Sequence, residues 1–134
     1  MKKIDKLIAQ AIQDRHCLAI RYRGQEDIRV IEPHALYLNE RDELTVDGFQ
    51  LRGFSASGRP APFWRPFRVK KITAINVLPD HFTPRVAEGY SANKKRYQRK
   101  LLMAAEESGM HFTYAIEELH SMGPPKPQFA RRYF

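Results

Sequence analysis

The sequence predicts a mainly β domain with flanking helices: a small, partly open β-barrel preceded by one amphipathic helix and followed by a C-terminal helical extension. Three features predict it. Ile4, Leu7, Ile8, Ala11 and Ile12 fall at i, i+3, i+4, i+7 and i+8, which puts one apolar stripe on a helix. Short runs with period-two alternation follow in quick succession from Leu18 to Leu78. The breaks between them are too short for crossover helices, so the strands pair as antiparallel hairpins, most simply as a meander.

In chain order, the helix runs from about Lys3 to Arg15. Leu18, Ile20 and Tyr22 then alternate with Ala19, Arg21 and Arg23 as a half-buried strand, and Gly24 to Asp27 turns the chain. Extended character resumes from Ile28 to Glu32, until Pro33 withdraws a ladder donor and bends or ends the strand; His34 to Leu38 continues beyond the bend. Asn39 to Asp42 is a turn cluster before Leu44-Thr45-Val46. Ile72 to Leu78 is rich in β-branched residues and makes a closing strand after a short break near Lys70-Lys71, and Pro79 ends the regular pattern.

The informative stretch lies between these, from Asp47 to Leu78. Two arms, Asp47 to Phe54 and Trp64 to Val69, flank a polar loop, Ser55 to Pro62, composed of turn-favouring residues. They carry Arg52, Arg65 and Arg68, with Arg59 in the loop and Phe63, Trp64 and Phe67 interleaved, the composition of a surface that binds phosphates and flat rings. The loop matches neither a P-loop, because Arg59-Pro60 stands where Lys and Ser or Thr are required, nor a nucleophile elbow.

Composition sets the outer limits. A chain of 134 residues with 43% hydrophobic and 28% charged residues makes one ordinary core, read here as a domain over 1–83 and an extension over 84–134. No apolar run reaches the length of a membrane span. Polar residues interrupt the basic start before any signal sequence can form, and the lone Cys17 supplies no disulfide or zinc-ligand pair, so a cytoplasmic setting is expected. Twenty-three Lys and Arg against 15 Asp and Glu leave a net charge of +8, which favours polyanionic or phosphorylated partners. Neither the histidine spacing nor any carboxylate pair points to catalysis, so no enzyme activity, metal or cofactor is expected.

Leu18-Ala19-Ile20-Arg21-Tyr22, Arg29-Val30-Ile31-Glu32-Pro33 and Trp64-Arg65-Pro66-Phe67-Arg68-Val69-Lys70-Lys71-Ile72, preceded by a helix carrying Ala11-Ile12, resemble a WYL domain over about Ile4 to Phe82. The resemblance implies an SH3-like or Sm-like barrel. It also implies a ligand-sensing module of the kind found in bacterial transcription regulators and defence-linked proteins, some of which are thought to bind nucleic acid or nucleotides. The tripeptide that names the family reads Leu44-Thr45-Val46 here, and no helix-turn-helix pattern precedes the barrel.

The resemblance places Tyr22, Arg29, Arg65 and Arg68 at polar ligand-facing positions, and Arg52 joins them from the arms. Arginine suits the role because its guanidinium grips phosphate oxygens as a two-pronged fork. For Arg29 an ion pair with Glu32 or Asp27 is the competing reading; Trp64, the sole tryptophan, is read as core. In the extension, Lys94, Lys95, Arg96, Arg99 and Lys100 line a basic helix expected between Ser91 and Gly109, as nucleic-acid backbone contacts or as a solvated face. A second helix is expected from Thr113 to Met122, ahead of a proline-rich tail. The partners this suggests are nucleic acid or a nucleotide, with a homodimer or protein partner through residues 91–134 as the alternative.

Overall fold

The computed structural model describes residues 2–53 and 58–106. Helix α1 (Lys3–Asp14) is followed by β1 (His16–Tyr22), β2 (Arg29–Leu38), β3 (Leu44–Arg52), β4 (Phe63–Arg68), a 3-10 turn (Val69–Lys71) and β5 (Ile72–His81); a second 3-10 turn (Lys95–Tyr97) then precedes β6 (Leu101–Ala104). The Asp5 carboxylate accepts the Lys2 backbone N–H at 3.3 Å, which places an acid at the positive end of α1. Arg15 ends the helix in the left-handed region (φ 60°), returning its N–H to Ala11 and Ile12. Ile8, Ala11 and Ile12 face inward onto the sheet, as their spacing requires.

The strands form one antiparallel sheet in the order β4-β3-β2-β1-β5. The path is open, with β4 and β5 at its ends, and β5 returns to pair with β1 rather than extending a meander. Pro33 neither ends β2 nor breaks its pairing with β3. A register shift between Pro33 and Ala35 accommodates it, the setting in which a strand tolerates proline. Pro66 sits on β4, which has only β3 beside it among the described residues. At the β2–β3 turn, Asn39 Oδ1 accepts the backbone N–H groups of Arg41 (2.8 Å) and Glu43 (2.9 Å), the local bonding that makes Asn a turn residue. Pro79 does not close β5, which continues to His81.

The basic helix expected from Ser91 is not formed in its described part. In its place a loop, one 3-10 turn and β6 run along β2, pairing Ala35 with Ala104 and Leu36 with Met103. The physical reason is tertiary: β1 pairs with the first part of β2, and the second part has an edge that β6 fills. Ser91 Oγ accepts the Asn93 N–H in a local turn instead of capping a helix. Phe82, Tyr90, Tyr97 and Ala105 are buried in the same core as Ile8, Leu18, Ile31, Val46 and Phe67. The loop serines, the helix expected from Thr113 and the tail lie outside the described residues.

Candidate functional site

Tyr22 ends β1, Phe67 lies on β4, and their rings meet edge to face at 5.0 Å. Two guanidinium groups flank this pair. The Arg29 Cζ lies 5.3 Å from the Tyr22 centroid and 5.6 Å from that of Phe67; for Arg65 the distances are 5.5 and 5.4 Å. Arg65 and Phe67 are two residues apart on one strand and so share a face, which lets the guanidinium lie back along the ring. Gly48 stands opposite Arg65 in the ladder, and a Cβ there would come within 3.0 Å of Ile31 Cδ1.

Arg29 is 2% exposed and donates to Gln25 Oε1 at 2.8 Å. Burial first, and the neighbouring Arg65 cation second, lower its pKa below the ordinary arginine value. The buried Nε of Arg65 has no hydrogen-bond partner among the described residues. Two like charges are therefore held beside one another against a common apolar surface, an arrangement that an anion would relieve.

Arg65 opens onto a cleft of about 430 Å³. Four further arginines line it, Arg23, Arg41, Arg68 and Arg96, against two carboxylates, Glu40 and Glu43. The backbone N–H of Arg68 donates to the Tyr22 hydroxyl at 3.0 Å, while its guanidinium reaches Glu43 at 3.5 Å. Glu43 is held more closely by Lys70 at 2.9 Å, and that contact, followed by Asn39, keeps its carboxyl down at about 2.

Tyr22, Arg65 and Arg68 thus line one cleft, whereas Arg29, held against the Tyr22 and Phe67 rings, does not line it. Of the two competing partners for Arg29, Glu32 is gripped on both oxygens by Arg85 at 2.7 and 3.0 Å, while the Asp27 charge still acts on the Arg29 guanidinium. Arg52 is exposed at the end of β3, opposite Val30, and does not line the cleft. Trp64 packs against His34 (4.8 Å) and Phe49 (4.9 Å) and donates its Nε1–H to the Glu88 carbonyl at 2.8 Å, a structural setting.

Of the five basic residues read as backbone contacts, Arg96 and Arg99 are engaged with Asp47 and Asp42. Lys94 lines a separate groove, and Lys95 and Lys100 are exposed. The roles of Arg23 and Arg41 in the cleft, and of Asp47 beneath it, were not read from the sequence. Asp47 is 3% exposed and accepts from the Tyr37 hydroxyl, the Tyr97 hydroxyl (2.7 Å each) and Arg96 Nε (2.9 Å). Burial, then the Asp47 charge, pushes both phenols above the usual tyrosine range. The only sequence signal was a carboxylate set among the apolar residues of a strand.

Cys17 is buried, and burial pushes its thiol up to about 11. Among the described residues no group of three or more metal-ligating side chains comes together. No described helix is long and apolar enough to cross a membrane.

An open antiparallel sheet under one helix, with a basic cleft at its surface, defines a small β-rich domain. A match to the WYL domain spans residues 6–77, more than half of the chain, and the chain belongs to that family. Among solved structures, proteasome accessory factor B/C (PafBC) of Arthrobacter aurescens is similar over 67% of this chain, at 21% identity and a TM-score of 0.50. The likeness is one of fold, and it takes in 13% of the PafBC chain. Compared by sequence with curated proteins, the chain has no match.

Proposed function

We propose that this protein is a non-enzymatic, ligand-sensing regulatory module. It binds a phosphorylated ligand, either single-stranded nucleic acid or a nucleotide, with Arg65 and Arg68 on the ligand, Arg29 holding the Tyr22–Phe67 wall charged from behind, and the Tyr22 hydroxyl at the base. The observation that carries this reading is the convergence of Arg29 and Arg65 on one ring pair beside a cleft richer in arginine than in carboxylate. Guanidinium groups fixed by packing need little reorganisation to meet phosphate oxygens. Family membership supports a sensing role. The return of β5 onto β1 through a 3-10 turn supports reading the open sheet as an SH3-like barrel.

Fluorescence anisotropy with short DNA and RNA oligonucleotides at low salt, together with a thermal-shift screen of nucleotides, tests the proposal. Binding that weakens with salt and is lost in Arg65→Ala is expected. No binding by any probe in either assay would overturn it.

A further inference from the structure

We propose that the cleft selects a compact polyphosphate group, inorganic or carried by a nucleotide, over an extended nucleic-acid strand, and that Arg96 supplies a specificity contact from outside the residues matched to the family. This rests on the phosphorylated-ligand reading and narrows it. The first support is that the cleft has no open stacking surface among the described residues. Proteins that hold single strands do so by laying bases on open aromatic faces. The aromatic residues lining this cleft, Tyr22 and Tyr37, are each 2% exposed, with the Tyr22 ring already flanked by guanidinium groups. What the cleft offers is charge.

The second support is the charge balance. Five arginines against two glutamates leave the lining at +3. One phosphodiester brings a single negative charge into such a space, whereas a di- or triphosphate brings several within a few ångströms. A volume of about 430 Å³ accommodates such a group.

Arg96 is the third support. Its Nε donates to Asp47 Oδ2 at 2.9 Å and its Nη2 lies 2.8 Å from the same oxygen in an ion pair, which holds the guanidinium against Asp47. The side chain is half exposed and lines the cleft. Asp47 is anchored in turn by Tyr37 and Tyr97, so the cation is positioned before any ligand arrives. Arg99, three residues on, pairs with Asp42 and does not line the cleft, which makes it the control.

The test is titration calorimetry at low salt with tripolyphosphate, ATP, AMP and a ten-nucleotide oligothymidylate lacking terminal phosphates. Arg96→Lys keeps a cation for Asp47 but removes the fork. Tripolyphosphate and ATP should bind alike, with AMP and the oligonucleotide weaker by about tenfold or more. Arg96→Lys should lose about tenfold for tripolyphosphate, and Arg99→Ala should bind as wild type.

An oligonucleotide that binds more tightly than ATP, or an Arg96→Lys protein that holds tripolyphosphate as wild type does, overturns the inference. If that oligonucleotide binding is lost in Arg65→Ala, the broader reading survives. Silence from every probe overturns both. Should Arg96→Lys not fold, the wild-type ranking of tripolyphosphate against oligonucleotide decides.

Discussion

Acidifying the protein from pH 7.5 to 5 should remove about 2 kcal/mol of stability through one side chain, His34. It is fully buried between Trp64, Phe82 and Tyr90, at ring distances of 4.7 to 4.8 Å. Nδ1 donates to the Glu32 carbonyl at 2.8 Å, and Nε2 accepts the Arg85 backbone N–H at 3.0 Å, a set that only the neutral ring satisfies. Burial, the largest cause, lowers its pKa from 6.5 to about 4. The unfolded chain therefore takes up a proton at higher pH than the folded one. Stability is fully present above about pH 6.5 and falls as pH drops toward 4, where the loss reaches about 3 kcal/mol.

Glu43, held down at about 2, contributes stability above the usual carboxyl range and begins to lose it only below about pH 4.5, so a window ending at pH 5 isolates the histidine. Urea unfolding across that window in wild type and His34→Gln is the assay, the variant cancelling the contribution of the other histidines. An equal pH slope in the two proteins, or an NMR titration placing His34 near 6.5, would refute the reasoning.

Three further outcomes are expected. Cys17, buried and raised to about 11, should react with a thiol reagent at pH 8 far more slowly in the native protein than in urea; equal rates would show an accessible thiolate. Arg85→Ala leaves the buried Glu32 carboxylate without its two-pronged partner and should cost about 3 kcal/mol by urea unfolding, with a loss under 0.5 kcal/mol counting against the pair. Gly53 has φ of +115°, and a Cβ there would lie 2.7 Å from Arg29 Cα. Gly53→Ala should therefore displace Arg29, lowering thermal stability and phosphate-ligand affinity together; unchanged affinity would separate Arg29 from the site.

Local patterns in the sequence report local burial. The stripe Ile8, Ala11 and Ile12 and the alternation Leu18, Ile20, Tyr22 each report their own burial, and both proved to be the buried faces of α1 and β1. At Pro33 the strand continues through a register shift, the bend and not the end of the two outcomes a proline allows, whereas Pro79 does not end β5, which runs on to His81. The helix expected from Ser91 failed for a non-local reason. Tyr97, Leu101, Ala104 and Ala105 fit a helical stripe, but the free edge of β2 and the carboxylates of Asp42 and Asp47 lie more than 45 positions away in the chain, and only the folded sheet brings them there.

The candidate site divides in the same way. Arg65 and Arg68 were legible because they sit beside aromatic residues in one strand, and Tyr22 and Arg29 because the family pattern places them. Arg23 and Arg41 come from two separate turns and carry no local mark. Arg52 shared the composition of the arms but lies at the strand end away from the cleft lining.

The most direct measurement is the arginine Nε–H NMR spectrum during titration with tripolyphosphate at low salt. Arg65, whose buried Nε has no hydrogen-bond partner among the described residues, should show a large, saturable shift, while Arg15 at the end of α1 stays still. An unmoved Arg65 resonance, with the protein folded throughout and other arginines responding, would place anion binding elsewhere and remove the basis for the proposed site.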